Sequence, residues 1–168
     1  MNIRQENIQD YHSIAKVNKL AFGGQKEAQL VEMIRTSNAY INELSLVAEI
    51  EENIVGYIMF SYIDLVGVRQ LPVLSLAPMV VHPNMQKRGI GKVLLKTGLE
   101  LADKRGEALV VVLGYPKLFN PFGFQPSINY QINSPFDVPE DVFMVKPLSG
   151  YDEQYKGKVV YPPAFHIV

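Results

Sequence analysis

The sequence predicts a mixed α/β fold, a central sheet flanked by helices, and three observations carry that prediction. Residues 73–113 read as strand, helix, strand, with a parallel crossover between the two strands. Residues 45–63 read as an antiparallel hairpin rich in β-branched and aromatic side chains. A short first strand and two amphipathic helices precede that hairpin. At 168 residues the chain fits one domain spanning 1–168, with a core of about 1–147 and a short C-terminal extension over 148–168.

Residues 2–4 form the first strand. From 8 to 20, Ile8, Tyr11, Ile14, Ala15 and Val17 give one apolar helical face, which Phe22-Gly23-Gly24 breaks. A second helix fits 27–35, with Leu30, Val31 and Ile34 on one side. The hairpin strands are 45–51 and 54–63, joined by a turn at Glu52-Asn53. Residues 73–81 are apolar enough for a strand buried on both faces. Ile90, Val93, Leu94, Leu101 and Ala102 recur at helical spacing over 89–104, and Gly106 supplies the C-terminal cap. Residues 108–113 are a wholly apolar strand. Beyond Gly114, proline and aromatics predict a helical turn near 116–119, then strands at 130–132 and 142–145. In the tail GKVVYPPAFHIV, a short strand is stopped by the proline pair.

Composition narrows the function. Hydrophobic residues are 48% and charged residues 20%, an ordinary globular balance, and the net charge is −1. Nothing global points to nucleic acid or an anionic membrane, so the cationic cluster near 87–92 suits a small anionic ligand. The absence of cysteine excludes disulfides, thiolate metal ligands and a cysteine nucleophile. No signal-peptide core or membrane-length apolar run is present, so a cytoplasmic location is expected. No His, Asp and Glu cluster has metal-ligand spacing, and no catalytic metal is expected. His82 is a candidate general base but reads better as a turn residue before Pro83; His12 and His166 have no argued role.

The segment LSLAPMVVHPNMQKRGIG, residues 74–91, runs from a buried strand through a turn into a helix start. Such a start presents unpaired N–H groups and the positive end of the helix dipole, which favour an anion. Three glycine motifs compete there. A P-loop requires Ser or Thr after Gly91-Lys92, where Val93 stands. A dinucleotide fingerprint requires a third glycine where Leu94 stands. Gln86-Lys87-Arg88-Gly89-Ile90-Gly91 instead matches Gln/Arg-x-x-Gly-x-Gly/Ala.

With its flanking strand and helix, and Phe122-Gly123-Phe124 beyond, this motif resembles the acetyl-CoA site of the GNAT superfamily of N-acetyltransferases. The tail further resembles a bacterial subgroup called YhbS-like. The resemblance implies a GNAT-like fold whose sheet is splayed at a cofactor slot. It implies pyrophosphate on the turn Lys87, Arg88, Gly89, Ile90, Gly91 and Lys92 beside Gln86. Pantetheine would lie on the strand Met79, Val80 and Val81, where Met79 and Val81 supply the main-chain contacts. The slot wall would include Phe119.

Two departures stand out. Phe119 occupies the place where many members carry the tyrosine that protonates the departing thiolate. Ser75 occupies the place of a glutamate on the strand before the turn. Neither usual acid–base group is evident, and Tyr115 is a nearby phenol and a candidate replacement acid.

The expected activity is direct acetyl transfer from acetyl-CoA to a primary amine of a small molecule or peptide. The alternative is a catalytically weak acyl-CoA binding or sensing module. The acceptor pocket is expected from the 23–45 region, the 60–72 turn and segments beyond Gly114, with Tyr40, Tyr62, Asp64 and Tyr115 as polar groups. Acetyl-CoA and the amine are the expected partners, and a homodimer is compatible with the family, though no interface is legible.

Overall fold

Asn7 decides where the first helix begins. In the computed structural model, which describes residues 1–167, β1 (Asn2–Gln5) leads to a capping box at Asn7. Gln9 N–H donates to Asn7 Oδ1 at 3.1 Å, and Asn7 N–H donates to Asp10 Oδ2 at 2.8 Å. Ile8–Asp10 is therefore a 3₁₀ turn, and Ile8, expected on the apolar face, is 79% exposed. Helix α1 (Tyr11–Phe22) keeps Ile14 and Val17 in the core and ends at Gly23, whose φ of 77° is the left-handed cap. Helix α2 (Lys26–Arg35) buries Leu30, Val31 and Ile34 as expected.

Strands β2 (Ser45–Ile50) and β3 (Asn53–Val66) form the hairpin. Its turn is Glu51-Glu52 rather than Glu52-Asn53, with both residues at positive φ, the two-residue geometry that matches strand twist. β4 (Gln70–Val81) begins earlier than expected, with Pro72 near its start. Pro72 is tolerated because β4 pairs with β5 (Leu109–Leu113) only at Leu74–Val110 and Ser75–Val111, leaving that edge open beside the proline. Between them, α3 (Ile90–Lys104) completes the parallel crossover. Val93, expected on the inner face of α3, is 40% exposed because Leu94 and Leu95 take the inward positions.

Helix α4 (Pro116–Phe119) is the expected turn. β6 (Gln125–Pro126), β7 (Ile132–Asn133), β8 (Phe143–Pro147) and β9 (Gly157–Val160) complete the sheet. The strand expected at 130–132 is only Ile132–Asn133. Ser127–Tyr130 is a 3₁₀ turn, and Gln131 at φ 58° reverses the chain after it. The continuous order is β1-β2-β3-β4-β5-β8-β6, with β9 joining β3 at Asp64–Val66 and β7 joining β9. Residues from the tail thus enter the main sheet.

The sheet carries a core on each face. Ile14, Val17, Leu30 and Ile34 cover one side with Val47, Tyr57 and Met59. Leu94, Leu95 and Leu99 cover the other with Phe60, Leu74 and Val110. α3 approaches closest at Gly98, where a Cβ would stand 2.3 Å from the Phe60 ring, so a helix-weakening glycine is required there.

One polar cluster is sealed inside the first face. The Glu6 side chain is 0% exposed and takes Arg35 Nη2 at 2.7 Å and Nε at 3.1 Å. It also accepts from the Tyr57 hydroxyl at 3.0 Å and from the Tyr40 hydroxyl. Arg35 is 8% exposed at its side chain and lies 3.6 Å from the Tyr11 ring centroid. This cluster ties the β1 exit to α2 and β3. Glu6→Gln leaves the Arg35 charge uncompensated, and urea unfolding should report a loss of about 3–5 kcal/mol. Adding Arg35→Met should recover part of that loss.

Candidate functional site

The site begins with the direction of the β4 backbone. His82 N–H donates to Val55 O at 2.8 Å, so the antiparallel alternation turns the Val80 main chain toward β3. Met79 and Val81 then face the other way, into the gap where β4 has left β5. The Val81 carbonyl accepts from Gln86 Nε2 at 3.2 Å, which fastens the following turn to the strand end. Ahead of Met79, β4 carries an extra residue. Ile58 pairs Met79 and Phe60 pairs Leu76, so Ala77 and Pro78 together oppose Met59.

The turn itself is built from left-handed residues. Lys87 has φ 64° and Gly89 has φ 81°, and the space a Gly89 side chain would fill is open. The first helical bond of α3 is Val93 N–H to Gly89 O at 3.1 Å. The N–H groups of Ile90, Gly91 and Lys92 therefore precede the ladder, forming with the turn a concave set of donors. Ile90 is buried against the core and anchors the helix, so its contribution is its backbone. Lys87, Arg88 and Lys92 are exposed and form no ion pair among the described residues.

Two cavities meet at the gap. One, of about 370 Å³, is lined by Met79, Pro78, Val112, Tyr115, Leu118 and Phe119 on the strand side, with Phe22 and Glu27 across from them. Phe119 is buried and packs edge-to-face on Phe124 at 5.4 Å, while Tyr115 is 80% exposed at the mouth. The second, of about 470 Å³, is lined by Ser75, Phe136, Lys158, Tyr161, Phe165 and His166 among others. Leu30, Leu76, Ala77 and Leu113 line both.

A profile described as the acetyltransferase (GNAT) family matches residues 11–116, more than half of the chain. This chain belongs to the GNAT family of acetyltransferases. It is 34% identical over 134 residues to the uncharacterized N-acetyltransferase YjhQ of Escherichia coli, covering 79% of this chain and 74% of that one. It is 31% identical over 150 residues to YhbS of Escherichia coli, also an uncharacterized N-acetyltransferase, covering 89% and 88%. The crystal structure of YhbS in complex with CoA superposes with a TM-score of 0.88 at 28% identity, covering 98% of this chain and 91% of that one. A GNAT family acetyltransferase from Brucella melitensis in complex with acetyl-CoA gives 0.80 at 30% identity, covering 98% and 97%.

The GNAT fold brings some expected residues together and leaves others apart. Met79, Tyr115 and Phe119 share one cavity, and Gln86 to Lys92 continues from its strand. The 60–72 turn lines neither cavity. Tyr40 is instead bound to Glu6, Tyr62 donates to Glu107 at 2.8 Å, and Asp64 lies on the strand pair with β9. His82 accepts from Asn84 N–H at 3.1 Å and serves the turn.

The 23–45 region and the segments beyond Gly114 line the cavities through Glu27, Phe136, Tyr161 and Phe165, four residues that sequence reasoning did not single out. The readable signal was the aromatic residues flanking Pro162-Pro163, a rigid segment in place of a fraying tail. Ser75 is buried at the apex of the gap with Tyr161 against it, so the small residue accommodates a phenol brought by the tail. Burial pushes the Tyr161 hydroxyl above the ordinary phenol range, and the Ser75 hydroxyl offsets this in part. Among the described residues, no group of three His, Cys, Asp or Glu stands close enough to hold a metal ion. No helix among the described residues is long and apolar enough to cross a membrane.

Tyr161 should therefore stay protonated where exposed tyrosines ionise. In a titration followed by phenolate absorbance, Tyr161→Phe should match the wild type up to roughly pH 11 while the protein stays folded. A lost phenolate below that point would contradict the placement.

Proposed function

We propose that this chain transfers an acetyl group from acetyl-CoA directly to a primary amine of a small molecule or peptide. The observation that carries the reading is one continuous edge. The outward main chain of Met79 and Val81 runs into the positive-φ turn and the open N-terminus of α3. An amide-bearing pantetheine arm needs such a strand edge, and a pyrophosphate needs such donors. The relatives crystallised with CoA and acetyl-CoA support the match.

In this reading Met79 and Val81 bind the pantetheine, and the Lys87–Lys92 amides bind the pyrophosphate. Gln86 holds turn and strand together, while Val80 and Ile90 fix the two elements from the core. Bound acetyl-CoA supplies an activated thioester. The amine nitrogen forms the new C–N bond, the C–S bond breaks, and the sulfur leaves as thiol after taking a proton. Positioning supplies much of the acceleration, because the acyl group is already activated. Phe119 walls the slot and has no proton to give. Tyr115, the one phenol lining the cofactor cavity, donates to the leaving sulfur, and the amine's proton leaves through water.

Calorimetry should show a preference for CoA over ATP and NAD; the reverse preference would sink the reading. Gly89→Glu, which puts bulk and negative charge among the donors, should weaken CoA by about ten-fold or more in a folded variant. Acetyl-CoA with a broad amine panel should release free thiol. Tight CoA binding with no release would favour a catalytically weak acyl-CoA binding module, the reading that Ser75 and Phe119 motivate. Tyr115→Phe should slow turnover several-fold with CoA affinity unchanged. Unchanged turnover would remove Tyr115 from the mechanism.

A further inference from the structure

The larger cavity, on the side of β4 that faces α2 and the tail, holds none of the residues assigned above to the cofactor. We propose that it receives the acceptor, and that this acceptor is a primary amine on an apolar or aromatic body with no second cationic centre. The proposal rests on the acetyl-transfer reading and deepens it.

Continuity is the first support. Leu30, Leu76, Ala77 and Leu113 line both cavities, so a molecule filling the larger one meets the cofactor cavity at those residues. The lining is the second. Phe136, Val160, Tyr161 and Phe165 form one wall, with Tyr161 and Phe165 at 5.0 Å and Phe136 and Tyr161 at 5.4 Å between ring centroids. Rings clustered in this way offer apolar surface to an apolar body.

Charge is the third and decides the class. Among the described residues, no side-chain carboxylate lines the larger cavity, and its ionisable side chains are Lys158, Tyr161 and His166. A polyamine or aminoglycoside would place further ammonium groups there without an anion, beside the cationic Lys158, at a desolvation cost. Among the described residues, the one side-chain carboxylate lining either cavity is Glu27, on the cofactor side one helical turn before Leu30. It forms no ion pair among the described residues. A single ammonium thus meets Glu27 on the cofactor side, gives up a proton to water and attacks as the neutral amine, while the body occupies the aromatic cavity.

The test measures thiol release from acetyl-CoA with 2-phenylethylamine, hexylamine and spermidine, and calorimetric binding of 2-phenylethylamine to the CoA complex. Both monoamines should exceed spermidine in kcat/KM by about ten-fold or more. The opposite order, or no 2-phenylethylamine binding, overturns the proposal. Turnover of spermidine alone would overturn it while leaving acetyl transfer standing. Binding of 2-phenylethylamine without thiol release from any amine would sink acetyl transfer and still support the cavity's preference.

Two variants sharpen the result. Val160→Glu introduces a carboxylate at an exposed lining position and should shift the preference toward spermidine with CoA affinity unchanged; an unshifted ratio counts against the proposal. Glu27→Gln should raise the amine KM about ten-fold at constant CoA affinity, and an unchanged KM would remove Glu27 from the site.

Discussion

Every feature of the site depends on β4 leaving β5 after two paired residues. The strand has ten register pairs with β3 on its other side, so it cannot drift; it can only bend. The extra residue at Ala77-Pro78 supplies the bend, and Pro78 brings no N–H that a neighbouring strand could bind. β5 is held instead by β8 along its whole length, from Leu109 to Leu113. The result is an edge with unspent hydrogen-bonding capacity beside an apolar floor. Backbone donors and acceptors left free along a strand edge can pair with the amides of a peptide-like ligand, which is the physical reason such a ligand suits the gap.

The other wall of the gap depends on a different interaction. Leu30 and Glu27 are placed by α2, and the last residue of α2 is Arg35, clamped on Glu6 and stacked on Tyr11. A buried carboxylate with one guanidinium and two phenols around it fixes orientation more than it adds stability, since both charges have given up water. The α2 face toward β4 is thereby set to one register.

Much of this could be read from the chain because it follows from local chemistry. Apolar periodicity locates α2 and α3, glycine locates the ends of α1 and α3, and the 86–91 spacing singles out the turn before the structure is seen. The 45–63 hairpin is legible for the same reason, although its turn lies one residue earlier, at Glu51-Glu52. The failures arise where distant segments decide. Ile8 looks helical until Asn7 caps the turn around it. Tyr40 and Tyr62 look like acceptor groups because their partners, Glu6 and Glu107, are far away in sequence. Tyr161 looks like tail because only three-dimensional pairing of β9 with β3 carries it to Ser75.

The way β9 is attached has a consequence for traffic through the molecule. It is held to β3 by three register pairs and to β7 by two, against ten between β3 and β4. Its side-chain anchorage is Val159, Ala164 and Phe165, buried in the core cluster that includes α2, with Tyr161 packed on Phe136. A flap secured so lightly detaches at lower free energy than the sheet it borders. Its release would unroof the Tyr161 side of the larger cavity and leave Met79, Val81 and the phosphate turn in place. Molecules could then exchange by the tail side while a cofactor stays seated on the other.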